Sequence, residues 1–172
     1  MNDLASLVGA VLLRDLRAAK REIEAYPTEA DIWRAAPGVT NTGGTLALHL
    51  AGNLQHFIGA VLGQSGYTRN RDAEFSRRDV PRSDLVAELD RTLSGVHNGL
   101  ARVTDADLAR DYPQPIGGRT VATGDFLIHL ATHLAYHLGQ MDYHRRLITG
   151  QGVTVGTVAP AELRTARAAP AR

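Results

Sequence analysis

Apolar residues recur every three or four positions along four long stretches of the chain. In residues 3–26, Leu4, Leu7, Val11, Ala18, Ala19, Ile23 and Tyr26 fall at helical spacing, while Arg14, Arg17, Arg21 and Glu24 take other faces. That is the period of an amphipathic helix, and Pro27 marks its stop. Thr28 then resembles the cap of one short turn containing Trp33, and Pro37-Gly38 breaks the chain again. A second helix is predicted over residues 43–62, with Thr42 as N-cap. Its sequence, TLALHLAGNLQHFIGAVL, is apolar nearly all round, which predicts deep burial. A third helix is predicted to start with Ser83 as N-cap after Pro81, its stripe formed by Leu85, Leu89, Leu93, Val96, Leu100 and Val103. The fourth covers residues 123–149 and ends before Gly150 and Gly152.

Two long connections separate these helices, residues 63–82 and residues 104–120. The second contains Pro113, Pro115 and Gly117-Gly118. Loops of this length are uncommon and often functional. There is no internal repeat, and no strand-like alternation longer than 153–158. The pattern predicts an all-α protein, a four-helix bundle over residues 1–150. The long 63–82 link lets the second and third helices run parallel. Residues 151–172, rich in Ala, Pro and Arg, are expected to form a short, poorly ordered C-terminal tail.

Composition narrows the chemistry. The chain has 172 residues, enough for one domain, and a hydrophobic fraction of 44% supports a core. Its formal net charge of +1 argues against a large phosphate-binding face, so no nucleic-acid partner is expected. There is no cysteine. Disulfides, thiolate metal sites and a cysteine nucleophile are therefore impossible, and any thiol must arrive on a small molecule. Met1-Asn2-Asp3 carries no basic stretch ahead of an apolar run, and that run is cut by Arg14 and Asp15. Neither a signal peptide nor a membrane span is expected, which makes a cytoplasmic location the default.

All the histidines except His97 lie in the second and fourth helical stretches. His129, His133 and His137 follow one another at intervals of four. Each such step turns about 40° and climbs about 6 Å. His133 and His137 can therefore converge on one ion, whereas His129 lies about 12 Å from His137 along the axis. Two ligands on one helix need a third from elsewhere. His49, on a helix that is otherwise almost wholly apolar, is the natural candidate, because an unpaired buried imidazole is costly. Three neutral imidazoles leave at least one coordination position open, as catalytic metal sites do. Asn53 lies one turn beyond His49 and could orient a ligand or touch a substrate, and His129 reads as a pocket residue. His56, His97 and His144 read as surface or helix-end residues. The alternative, a set of hydrogen-bonded core histidines without a metal, stays open at this point. The spacing HLATH lacks the glutamate of H-E-x-x-H, so no protease base is evident.

The segments LALHLAGNLQHFIG at 46–59 and HLATHLAYHLGQMDYHRRL at 129–147 resemble the DinB-like (DinB/YfiT) superfamily of metalloenzymes. The second segment carries the resemblance in His133, Tyr136-His137, Gly139-Gln140 and Arg145-Arg146, and RNRDAEFSRRD at 69–79 resembles the linker of one branch. The likeness spans about residues 3–150. It implies a four-helix bundle of up-down-down-up topology and one divalent metal ion, zinc or nickel, on His49, His133 and His137. It also implies a homodimer. Relatives include S-transferases and an isomerase that use low-molecular-weight thiols, and the family name does not imply DNA binding.

Three functions are compatible with this reading. The first is a thiol-dependent transferase or isomerase acting on a small molecule. A divalent metal deprotonates a bound thiol without a protein base, Gln140 and His129 stand near the ligands, and Arg69 and Arg71 could hold carboxylates of a thiol cofactor. For the loop arginines, which also include Arg77 and Arg78, the simpler expectation is a solvated loop paired with Asp72, Glu74 and Asp79. The second function is a metal-dependent hydrolase, whose proton acceptor would have to be Glu88 or Asp142. The third is a non-enzymatic metal-binding stress protein.

Overall fold

Tyr26-Pro27 ends the first helix where the sequence places the break. The computed structural model describes residues 4–155 and 158–169, so the start of the chain at Met1-Asn2-Asp3 and part of the tail lie outside the described residues. Helix α1 covers Leu4–Glu24 and buries Leu12, Leu16 and Ile23 completely. Helix α2, Glu29–Trp33, is nucleated by Thr28, whose side chain caps Asp31 N–H while the Asp31 carboxylate returns to Thr28 N–H. This reciprocal cap closes two otherwise unpaired amides.

Helix α3 runs over Gly43–Leu54 with Thr42 as N-cap, its hydroxyl accepting from Thr45 N–H. All of its residues are buried, as the apolar run requires. It continues without a break as a π-helix over Gln55–Leu62, a widening of the turn that the hydrophobic pattern does not reveal. π-Helical stretches recur at functional sites. This stretch approaches α5, which covers Arg82–Leu100, so closely that a β-carbon on Gly99 would come within 3.0 Å of the Ile58 carbonyl carbon.

The 63–81 connection is not a bare loop. It holds helix α4, Arg71–Ser76, capped by the Asn70 side chain on Ala73 N–H. The start of α5 corrects one expectation. Pro81 occupies the N-cap position, and Ser83 lies inside the first turn with its hydroxyl directed to Asp84. Proline fits there because the missing amide hydrogen would have had no partner. Helix α6, Asp105–Leu108, is capped by Thr104.

Helix α7 covers Thr123–Thr149, as the periodicity predicts, and stops at Gly150, whose φ of 71° is the left-handed C-cap conformation. Helix α1 packs against α5 and α7, and α3 with its π-helical continuation packs against the same two helices. The hydrophobic core sits between these four long elements, from Leu12 and Leu16 of α1 through Leu50 and Leu54 of α3 to Leu130 and Leu134 of α7.

Every regular element among the described residues is helical, and no described helix is long and apolar enough to cross a membrane. The described part of the tail lies against the helices. Arg145 Nη2 donates to Val153 O at 2.8 Å, Arg21 Nε donates to Val155 O at 3.3 Å, and Arg164 bonds Ser6.

Candidate metal centre

Packing α3 against α7 brings His49 opposite His133 and His137. The Nε2 atoms of His49 and His133 are 3.3 Å apart, and those of His133 and His137 are 3.1 Å apart. The three rings stand nearly edge to face, with centroids 4.5–5.2 Å apart. Among the described residues this is the group whose ligand atoms come together as a metal ion requires, all within 4.8 Å of one another. Its members come from two helices because one helix can offer only the i, i+4 pair on a common face.

The outward nitrogens explain how the rings are oriented. His49 Nδ1 lies 3.0 Å from Glu74 Oε2. A carboxylate can only accept, so Nδ1 carries the proton and Nε2 presents its lone pair. Both Glu74 oxygens are themselves held by Arg69, from Nε at 2.6 Å and from Nη2 at 2.8 Å. On the other helix His137 Nδ1 donates to Gln140 Oε1 at 2.6 Å, which again leaves Nε2 bare.

His133 differs. Its Nδ1 is buried with no hydrogen-bond partner, so no protein group chooses its tautomer. Two bare lone pairs therefore face the Nε2 of a third imidazole at little over 3 Å. One proton cannot satisfy all three nitrogens, whereas one cation can. A tetrahedral ion with metal–nitrogen bonds of about 2.0–2.1 Å separates its ligand nitrogens by about 3.3 Å. The donor set fits a divalent ion that accepts imidazole.

Electrostatics favours the neutral form of His133 and His137, the form a metal ligand needs. Burial lowers the His133 pKa from 6.5 to about 4, and the neighbouring His137, His49 and His129 rings and Arg69 add to the shift. Burial also lowers His137, against the opposing bond to Gln140. For Glu74, burial alone would raise the pKa. The hydrogen bonds from Arg69 and His49 outweigh it, and the carboxyl is held below its ordinary value.

The remaining candidates divide around this centre. Asn53 is buried, and its Oδ1 has no partner. His129 is exposed, stacked on Phe126 at 5.8 Å between centroids and 6.0 Å from the His133 ring. Gln140 touches His137 directly. It also lines a cavity of about 470 Å³ with Asn41, Leu46, Tyr143 and His144. Arg71 is exposed, its guanidinium 5.1 Å from the Phe75 ring centroid.

His97 is exposed, and His56, half-buried, accepts from Gln114 Nε2 at 3.0 Å. His144 corrects the expectation of a surface residue. It is 2% exposed, with Nε2 donating to Arg34 O at 2.9 Å and Nδ1 accepting from the Tyr26 hydroxyl at 2.7 Å. Glu74 is the side chain that pattern reading leaves in a solvated loop. The signals for it are local ones, the Asn70 cap opening the helical turn DAEF and the glycine at position 52 inside an otherwise apolar helix.

The sequence pattern of the DinB superfamily matches residues 12–141, most of the chain and the whole of this centre. The chain belongs to the DinB superfamily. No curated protein matches it. Membership and the histidine cluster agree: this is a DinB-superfamily chain with three histidines arranged to hold a metal ion.

Proposed function

We propose that His49, His133 and His137 hold one divalent ion, zinc or nickel, and that the protein is a metal-dependent S-transferase or isomerase using a low-molecular-weight thiol. The observation that carries this reading is the convergence of the three Nε2 atoms with the outward nitrogens of two rings already committed. An ion held by three neutral imidazoles keeps a position open and acidifies a thiol placed there.

The chain's own part is binding and orientation. Glu74 and Gln140 hold His49 and His137 in the tautomer a metal needs. Asn53 Oδ1, buried without a partner, is available to accept from a substrate donor. His129, exposed beside His133, can take up a proton released at the centre. Of the two arginines considered for a thiol cofactor, Arg69 has Nε and Nη2 on Glu74, while Arg71 is exposed and free to meet a carboxylate.

The thiol reading is favoured over a hydrolase because the carboxylates considered as a base are engaged. Glu74 accepts from Arg69 and His49. Glu88 accepts from Gln55 and Arg91, and Asp142 from Arg145 and Arg146. None stands ready as a base for water.

The same reading takes the packing of α1 with α5 and α7, and of α3 with α5 and α7, as a four-helix bundle of up-down-down-up topology over residues 1–150. It adds a homodimer and a cytoplasmic location. The test is elemental analysis of the purified protein followed by a screen of thiols with an electrophilic substrate. Turnover that requires both metal and thiol is expected. Turnover without thiol would favour the hydrolase, and metal without turnover would favour a non-enzymatic role.

A further inference from the structure

We infer that Arg69, Glu74 and Gly52 form a positioning device that locks His49 in its metal-binding tautomer and couples the 63–81 connection to the metal centre. The inference rests on the ligand set proposed above. His49 is the one ligand supplied by α3, and its hydrogen bonds run to Glu74 and His133 rather than to any side chain of that helix. Orientation comes from α4 instead. Glu74 accepts from His49 Nδ1 at 3.0 Å, and the next residue, Phe75, places its ring 4.9 Å from the imidazole. The carboxylate is not free to turn toward solvent, because Arg69 grips both of its oxygens. Arg69 is anchored in its turn over the Phe57 ring, 5.5 Å from the centroid.

Gly52 makes the arrangement possible. A β-carbon there would overlap Glu74 Oε1 and come within 2.7 Å of its Cδ. In a helix interior, glycine is destabilising relative to alanine. At this position the missing methyl is the space that the carboxylate occupies. Two independent features, a glycine in α3 and an arginine–glutamate clamp in the connection, therefore serve one contact.

The three ligands are supported unequally: His49 by a clamped carboxylate, His137 by a neutral amide, and His133 by nothing. A carboxylate behind a ligating imidazole fixes its tautomer and raises its basicity, and losing such a group typically weakens metal binding about 10–100-fold. Arg69, Glu74 and Gly52 act through His49, and so they are positioning residues.

The experiment has two readouts. Imidazole nitrogen NMR of the metal-free protein reports the His49 tautomer, and Zn(II) competition with a chromophoric chelator reports affinity. Wild-type His49 is expected as the Nδ1–H form. Glu74→Leu should abolish that preference and weaken Zn(II) about 10–100-fold. Glu74→Gln keeps an acceptor but loses the charge; the tautomer should persist while affinity falls by less.

The decisive variant is Gly52→Ala. Helix propensity alone would make it harmless or stabilising, whereas displacement of Glu74 predicts the defects of Glu74→Leu with the glutamate still present. An Nε2–H His49 in the wild type would overturn the inference. So would Zn(II) affinities of Gly52→Ala and Glu74→Leu within twofold of wild type. Wild-type protein that binds no Zn(II) would instead defeat the ligand assignment, with the tautomer result still readable.

Discussion

Helix α7 carries two polar clusters, and they are built on opposite rules. Near its C-terminal end, His144 and Arg145 have a partner for each ring or guanidinium nitrogen. His144 joins the Tyr26 hydroxyl to Arg34 O. Arg145, fully buried, donates from Nε to Glu22 at 2.6 Å, from Nη2 to Asp142 and Val153 O, and from Nη1 to Gln151. About three turns earlier, His133 Nδ1 has none, and across the α3 interface Asn53 Oδ1 has none. Among the described residues one other buried side-chain atom lacks a partner, Arg82 Nε at the start of α5. Buried polar groups are normally satisfied. A cluster that closes on itself is architecture, and a cluster that leaves acceptor lone pairs facing one another is suited to hold a cation.

The largest expected effect is on the closed cluster. Arg145→Leu takes the Arg145 pair from the fully buried Glu22 and leaves Asp142 with only Arg146 of its two arginines, and breaking a buried pair from one side typically costs about 3–5 kcal/mol. Urea denaturation measures it. The loss should be the same with and without metal, and a loss under about 1 kcal/mol would erase the distinction between the clusters.

Next comes the open cluster. His49→Ala, His133→Ala and His137→Ala should each lose most of the bound metal, while metal-free stability changes by about 1 kcal/mol or less. Zn(II) at 100 times its Kd should stabilise the wild type by about 2.7 kcal/mol and these variants by little. His56→Ala and His97→Ala should keep full metal, and His144→Ala should keep metal but lose stability. Full metal in His137→Ala, measured by native mass spectrometry, would show that the wrong histidines were chosen.

A third test uses pH. In the folded chain His133 has its pKa lowered from 6.5 to about 4, and His137 and His144 are also lowered, in each case chiefly by burial. Between the two His133 values the unfolded chain binds more protons than the folded one. Stability of the metal-free protein is therefore complete above about pH 6.5 and falls as the pH drops toward 4. His133→Ala should flatten part of that slope. Saturating metal opposes protonation of the open cluster and not of His144. An unchanged slope in His133→Ala would refute the assignment.

The smallest effect should come from Gln140→Ala. It removes a neutral acceptor from His137, and the affinity loss should be smaller than that of Glu74→Leu because a carboxylate polarises an imidazole more than an amide does. Equal losses in a Zn(II) competition assay would mean that charge behind the ligand does not matter here.

The helices, and half of the site, could be read directly from the sequence. Helical periodicity, Thr42 before the apolar run and Gly150 after it are short-range signals, and the structure places α3 and α7 at the limits they imply. The same periodicity puts His133 and His137 on one face, since a step of four residues turns only about 40°. Ser83 was a weaker signal: it competed with Pro81 for one position, and the residue without an amide hydrogen took it.

Partner choice was not legible, because it joins positions far apart in the chain and depends on space as well as residue type. Glu74 looks like any acid among arginines until α4 folds over α3 and Gly52 leaves room for it. His144 looks like His137 until Tyr26 and the Arg34 carbonyl enclose it. The sequence by itself determined which residues could be ligands, through a repeat that local hydrogen bonding enforces. Only the tertiary structure decided which imidazoles would find a partner on each nitrogen and which would be left facing one another, because that depends on which distant groups reach each ring once the helices pack.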